Sequence, residues 1–336
     1  MTQAIASLWS RVSIAPMMDI TDRFFRYALR RINPHIKLYS EMVVAQSILR
    51  GDRDRFLRYD PSEHPLALQI GTDNPQHAAE CARLARDYGY DEINLNVGCP
   101  SDRVKSGNFG ACLMQTPELV GEIVAAMKGT GLMTSVKCRC GVIDSHRGKS
   151  YEFGKYDTYQ KLQQFAQIMF ASGCDLLIVH ARSAILGKLS PKENREIPPL
   201  RYDDVYRLQK DFPDRIIELN GGIKTKEEMD LHLQRVPRIM IGRQAQATPL
   251  FFSTEPSLSA FDLIRDVLEY AVRDIAITKR ELKPTYILRN TMGLFHGKPG
   301  SRKWRNWFST AARQCSVKEF LNEMEKLSAD QRSSME

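Results

Sequence analysis

Short apolar or β-branched runs alternate with stretches of helical periodicity through the first three quarters of the chain. The runs predict strands at Val12–Met17, Lys37–Met42, Leu66–Ile70, Glu92–Gly98, Thr134–Arg139, Leu176–Arg182, Ile216–Gly222 and Arg238–Arg243. Helix-start signals lie between them. Thr116-Pro117-Glu118 offers an N-cap followed by a proline at the first helical position, and Thr225 with Glu228 offers a capping box. Eight strand–helix units over about 240 residues is the arithmetic of a TIM barrel, with a doubly wound open sheet as the alternative. Past Arg243 the pattern changes. Ser253–Ser259 reads as a linker of turn formers, after which Phe261, Ile264, Val267, Leu268 and Ala271 recur at helical spacing. Ser316 and Glu319 form a second capping box, and Pro284 and Pro299 mark further helix starts. The predicted organisation is α/β, a TIM (β/α)8 barrel catalytic domain over 1–252 and a C-terminal helical domain over 253–336.

Composition agrees with a folded, soluble chain: 336 residues are 43% hydrophobic, with 48 Lys and Arg against 40 Asp and Glu. Disorder and coiled coil are excluded, and no apolar run approaches the roughly 18 residues of a membrane span. Met1–Ser10 lacks the pattern of a removable leader, so the expected location is the cytoplasm, without membrane attachment. Seven cysteines, without CxxC or zinc-type spacing, predict reduced thiols and no metal site. No obligate protein partner is evident. The charge is concentrated: Ala276–Arg313 holds nine basic residues against Glu281 alone, which equals the whole excess of eight. A cationic helical surface suits a polyanion. A solvated helix face, with Trp304 and Trp307 packed inward, accounts for the same residues, and the run alone does not decide.

The C-terminal ends of the strands, where barrels place their chemistry, are unusually polar. They deliver Pro16-Met17-Met18, Glu41, Gln69, Asn94 and Asn96 before Gly98-Cys99-Pro100, Lys137 and Arg139, His180 and Arg182, Asn220-Gly221-Gly222, and Gly242-Arg243. A strand buried on both faces should be continuously apolar, so these groups outline one pocket. The glycines after strands seven and eight stand where barrels bind phosphate, or simply make tight turns. Lys137 suits either a Schiff-base nucleophile or a cation holding a cofactor's negative charge. Cys99 is placed to give a proton or, once activated, to attack. Cys138 and Cys140 point the other way and are read as structural.

These residues carry a resemblance to the tRNA-dihydrouridine synthases, flavin-dependent enzymes that reduce uridines in the D-loop of transfer RNA. The matching stretches are Ala15–Asp19 with Thr21–Phe24, Tyr39–Met42, His64–Gln69, Asp91–Ser101, Lys137-x-Arg139-x-Gly141, His180–Arg182, Asn220–Ile223 and Gly242-Arg243. Ser190–Leu200 looks like a hallmark of the tRNA-dihydrouridine(20/20a) synthase branch. The resemblance implies FMN as cofactor and NADPH as reductant, with tRNA as partner. It implies that Pro16, Met17 and Met18 back the flavin, that Gln69, Lys137 and His180 meet its ring, and that Asn220, Gly221, Gly222, Gly242 and Arg243 hold its phosphate. Hydride would pass from flavin N5 to uracil C6 while Cys99 protonates C5. Asn96 would contact the flipped base, and Arg182, Lys192, Arg195, Arg302 and Arg305 the tRNA. Two features depart from the pattern: the stretch Asp144–Asp157, with His146, Arg147, Lys149 and Lys155, is longer than expected, and Cys140 is unusual beside Arg139. Alternatives are an FMN-dependent dehydrogenase of a small pyrimidine, which has no use for the basic surface, and a catalytically inactive RNA-binding barrel, which has no need to keep Cys99, Lys137 and His180 together.

Overall fold

A computed structural model describes residues 2–101, 107–144, 157–187, 189–255, 257–297 and 300–327. Eight parallel strands lie at its centre: β1 (Val12–Ile14), β2 (Leu38–Val44), β3 (Leu66–Gly71), β4 (Glu92–Val97), β5 (Met133–Arg139), β6 (Leu176–His180), β7 (Ile216–Asn220) and β8 (Arg238–Ile241). They pair in chain order from β2 to β8, and β8 pairs with β1. Ser13 bridges Lys37 in parallel, with the Ile14 N–H donating to the Lys37 carbonyl at 2.9 Å and the Lys37 N–H to the Val12 carbonyl at 3.0 Å. That last pair of bonds closes the ring. The architecture is the TIM barrel, and the open sheet is excluded.

Strand alternation divides the side chains between two cores. Ile93, Leu95, Val97, Val136 and Cys138 face outward into the large apolar cluster beneath the helices. Ala15, Tyr39, Ala67, Leu176, Ile178 and Met240 fill part of the barrel interior. The rest of the interior is polar, with Ser13, Lys37, Gln69, Glu92, Asn94, Ser135 and Glu218 all buried. On β2 the register slips by one residue, Tyr39 standing opposite Ala67 and Met42 opposite Gln69. This bulge re-aims the strand end beside the barrel mouth: the Ser40 hydroxyl accepts from the Gln69 N–H at 3.0 Å and the Glu41 carboxylate from the Asp19 N–H at 2.5 Å.

The surrounding helices are α1 (Arg23–Ile32), α2 (Pro75–Asp87), α3 (Pro117–Lys128), α4 (Tyr159–Ala171), α5 (Tyr202–Asp211), α6 (Lys226–Leu233) and the short α7 (Arg243–Ala247). Both expected capping boxes form, at Thr225 with Glu228 and at Ser316 with Glu319. Thr116 sits at the N-cap of α3, its hydroxyl donating to the Leu113 carbonyl at 3.4 Å and not capping the helix. Two elements were not anticipated. A helix spans Thr2–Trp9, with Trp9 against Phe252 at 5.8 Å between ring centroids. A two-stranded parallel ribbon pairs Val142–Asp144 with Ala184–Leu186. The long stretch after β5, with His146, Arg147, Lys149 and Lys155, lies outside the described residues, as does Pro299.

After the expected linker come α8 (Ala260–Thr278), a one-turn helix at Pro284–Ile287, α9 (Ser301–Gln314) and α10 (Val317–Glu325). The predicted stripe Phe261, Ile264, Val267, Leu268 and Ala271 is buried, in the same apolar cluster as Phe24, Leu29 and Ile32 of α1. Trp304 is fully buried among Phe261, Phe295, Trp307 and Phe308, which assigns it to packing. Charged contacts join the two parts: Asp274 of α8 meets Arg23 at 2.6 Å and Arg58 at 3.0 Å, and Arg280 pairs with Asp52. No helix among the described residues is long and apolar enough to cross a membrane.

Asp274 has no exposed side-chain surface, and its removal would leave the largely buried Arg23 guanidinium without its carboxylate and Arg58 with Asp54 alone. Asp274→Ala is expected to cost about 3 kcal/mol of stability in urea denaturation; a loss below about 1 kcal/mol would show that the ion pairs do not secure the helices to the barrel.

Candidate active site at the barrel mouth

Inward residues of neighbouring strands stand shoulder to shoulder: Gln69, Asn94 and Ser135 are in register across β3, β4 and β5, Asn96 pairs with Lys137, Arg139 with His180, and His180 with Asn220. Strand ends that were separate in the sequence thus become one ring of polar groups.

The Cys99 loop is gripped from beneath and beside. The Asn96 carboxamide oxygen accepts from the backbone N–H groups of Gly98 at 3.1 Å and Cys99 at 3.0 Å, while its Nδ2 donates to Gln69 Oε1 at 2.8 Å. Arg139 donates from Nε to the Gly98 carbonyl at 3.1 Å and from Nη1 to the Asn194 carbonyl at 2.9 Å. The Ala111 N–H donates to the Cys99 carbonyl at 2.8 Å. Cys99 itself is half-buried. Cys138 and Cys140 are fully buried, and burial pushes both thiols far above their ordinary range.

Beside this loop the pocket is cationic. Burial, reinforced by Arg139, lowers Lys137 to about 8. Burial, then Arg139, Lys137, Arg182 and Arg195 in that order, holds the His180 imidazole well below its usual range, so it is neutral. Such a set favours an anionic ligand. Gly221 and Gly222 follow β7 with φ of +119° and +78°, conformations that favour glycine. A Cβ on Gly221 would lie 2.7 Å from the His180 ring, so a side chain there would fill the cradle. Asn220 is buried and donates to the Met240 carbonyl at 2.8 Å, tying β7 to β8 beneath the turn. Gly242 precedes α7 and lies over Ala15 and Met17.

The other anticipated residues are distributed as follows. Met17 makes a tight turn closed by Thr21, whose hydroxyl accepts from the Met17 N–H at 3.0 Å, and Met18 is 55% exposed at the mouth. Gln69 is buried, bonded to Asn94 on one side and Asn96 on the other. Arg243 pairs with Glu196 at 2.9 Å, and Arg182 donates to the carbonyls of Glu196 and Pro198, so both arginines brace the loop after β6. Lys192 and Arg195 are exposed on that loop; Arg302 and Arg305 are exposed on one face of α9. The strand-end and loop residues converge on the mouth.

Four contributors had no role assigned from the sequence. Arg139 bridges the Cys99 loop to the loop after β6. Asn194, fully buried, anchors that loop by accepting from the Ile185 N–H at 2.7 Å and donating to the Ile185 and Leu189 carbonyls; an asparagine amid charged loop residues was its only signal. Arg289 and Asn290 donate to the Asp19 carbonyl at 3.2 and 2.9 Å, holding a residue with φ of +61° next to the Met17–Met18 turn.

The sequence model of the dihydrouridine synthases matches residues 13–330. This chain belongs to the dihydrouridine synthase family. It is similar to proteins named tRNA-dihydrouridine(20/20a) synthase: one from Synechocystis is 48% identical, covering 89% of this chain and 88% of that protein. One from Pseudomonas aeruginosa is 46% identical, covering 92% of each. One from Escherichia coli K12 is 42% identical, covering 96% of this chain and 93% of that protein. Family membership covers barrel and C-terminal helices together.

A depressed His180 means that the unfolded chain binds this proton more tightly, so stability is present above about pH 6.5 and is lost as pH falls below it. Between pH 6.5 and 5 the protein should lose on the order of 1 kcal/mol per pH unit that a His180→Asn variant retains, measured by urea denaturation; parallel curves would remove the imidazole from the cationic cluster.

Proposed function

We propose that this enzyme reduces uridine to 5,6-dihydrouridine in the D-loop of transfer RNA, at positions 20 and 20a, using FMN as cofactor and NADPH as reductant. The observation that carries the reading is the meeting, in a dihydrouridine synthase chain, of a half-buried cysteine on a clamped loop with a cationic pocket built around a neutral histidine. The reading puts the enzyme in the cytoplasm with its tRNA.

The residues fit FMN. Gly221 and Gly222 present backbone where a Cβ would intrude, Gly242 opens a helix beside them, and the cations favour a dianionic phosphate and an electron-rich ring. In this reading Asn220, Gly221, Gly222, Gly242 and Arg243 hold the phosphate, Gln69, Lys137 and His180 meet the ring, and Pro16, Met17 and Met18 back it. When bound, FMN supplies hydride to C6 of the uracil and is re-reduced by NADPH. Cys99 gives the proton to C5, a step suited to a thiol held by its backbone beside the pocket. Lys137 and Arg139 keep positive charge where electrons accumulate. The base must leave its stack to arrive, at a cost of a few kcal/mol that is least in a looped region. Arg182 acts on the tRNA through the loop it braces, while Lys192, Arg195, Arg302 and Arg305 lie exposed for the polyanion. The exposed α9 cations fit a folded RNA and serve no purpose for a small pyrimidine.

The absorbance of purified protein between about 300 and 600 nm should show flavin bands that bleach anaerobically with NADPH and return on addition of tRNA lacking dihydrouridine. Absence of bands after FMN addition would overturn the cofactor, and bleaching without return the acceptor. Cys99→Ala should leave bleaching intact and slow the return about 100-fold or more; an unchanged rate would remove the proton-donor role. Charge reversal of Arg302 and Arg305 should raise the KM for tRNA and flatten its salt dependence while leaving the flavin spectrum in place.

A further inference from the structure

The polar groups inside the barrel form a chain of hydrogen bonds with a single direction. At its upper end the backbone N–H groups of Gly98 and Cys99 donate to Asn96 Oδ1. Asn96 Nδ2 donates to Gln69 Oε1 at 2.8 Å, Gln69 Nε2 to Asn94 Oδ1 at 2.6 Å, and Asn94 Nδ2 to Ser135 Oγ at 2.6 Å. The Ser135 hydroxyl donates to the Glu92 carboxylate, which is paired with Lys37 at the barrel floor and also accepts from the Tyr39 hydroxyl at 2.8 Å. Glu92, Asn94 and Ser135 have no exposed surface and Gln69 has almost none. The two ends fix the sense of every link between them. A backbone N–H can only donate and a carboxylate can only accept, so each carboxamide must turn its oxygen toward Cys99 and its nitrogen toward Glu92. Reversing any one amide would set donor against donor at a neighbour.

We propose that Glu92, Ser135 and Asn94 are positioning residues that, through Gln69 and Asn96, fix the Cys99 loop for proton delivery to the uracil. The reading rests on the proton-donor role given to Cys99 above. The floor carboxylate, with Lys37 and Tyr39 as its other donors, is the anchor. Asn96 has its oxygen committed to two loop N–H groups and one hydrogen committed to Gln69, so its carboxamide plane is set before substrate arrives. Ser135 is the coupling between charge and amides. Without its oxygen, Asn94 loses its acceptor and no longer holds Gln69 and Asn96 in one orientation.

The experiment uses FMN-loaded protein and separates the two half-reactions by stopped-flow absorbance. In the parent protein, bleaching by NADPH and recovery with tRNA test the underlying function independently of this proposal. Ser135→Ala is expected to slow recovery about tenfold and bleaching much less, the smaller effect coming from Gln69 at the ring; Asn94→Ala should do the same, and Ser135→Thr, which keeps the hydroxyl, should recover most of the rate. In an Asn96→Ala background, Ser135→Ala should cost less than about twofold further, because the path to Cys99 is already broken. A readout besides turnover is the rate of Cys99 alkylation by iodoacetamide, followed by mass spectrometry, which should change in Ser135→Ala and return in Ser135→Thr. Equal slowing of both half-reactions, a full tenfold loss retained in the Asn96→Ala background, or an unchanged Cys99 alkylation rate would each overturn the proposal.

Discussion

A carboxylate with no access to water must be given donors wherever the chain can supply them, and Glu92 at the floor of the barrel imposes that demand on its neighbours. Lys37 answers it from the short stretch that also closes the barrel between β1 and β2, so ring closure and charge compensation are one event. Tyr39 and Ser135 complete the donor set. Glu218 makes the same demand from β7, where it accepts from the Ser13 hydroxyl at 2.6 Å and faces Arg238, and burial raises its pKa. Two buried acids therefore tie strands together through side chains as well as backbone, Glu92 joining β4 to β2 and β5, and Glu218 joining β7 to β1 and β8. Large apolar residues alone would fill such a barrel; this one spends part of its interior on orientation.

Orientation is also imposed from outside the barrel. The Met17–Asp22 segment backs the proposed flavin site, yet its left-handed residue, Asp19, is held by Arg289 and Asn290 from the C-terminal helices and by Glu41 from the β2 bulge. Arg289 also pairs with Asp22 at 2.8 Å. Two of the nine cations that concentrate the net charge in the C-terminal region, Arg289 and Arg280, thus face barrel carboxylates, while Arg302, Lys303, Arg305 and Arg313 stay exposed. The basic run serves both as a joint and as a surface. A linear count of charge cannot separate these uses, because the acids that neutralise Arg280 and Arg289 are more than 200 residues away in the chain.

The barrel was legible because its signals are local: β-branched runs, capping boxes at Thr225 and Ser316, and a change of period after Arg243 all survive in the folded chain. Several strand ends were predicted up to three residues too far, Pro16, Arg182 and Gly222 already lying in loops, while β2 and β3 run on to Val44 and Gly71. The β2 bulge, the Val142–Asp144 ribbon and the helix at Thr2–Trp9 depend on partners distant in sequence, and no local pattern announces them. Site residues were legible as polar interruptions at strand ends, but not their mutual bonding. Gln69 and Asn96 read as ligand contacts, and the register of β3 with β4 is what reveals that their amides are also bonded to each other.

The electrostatics of the mouth follow from the same economy. Gathering Lys137, Arg139, Arg182 and Arg195 near one point is unfavourable in the absence of a counter-charge, and the fold relieves it in three ways. His180 gives up its proton, Lys137 binds its own more weakly, and Arg182 and Arg139 turn guanidinium hydrogens toward backbone carbonyls of the loops they organise. The remaining guanidinium charge keeps the pocket at positive potential, an environment in which a phosphate and an electron-rich ring are stabilised. Anion binding then reverses the first two adjustments, favouring protonated Lys137 and relaxing the depression of His180. The cationic cluster is therefore coupled to the loops on both sides of it: Arg139 and Arg182 contribute to its positive potential and, by hydrogen bonds, hold the Cys99 loop and the loop after β6 in place.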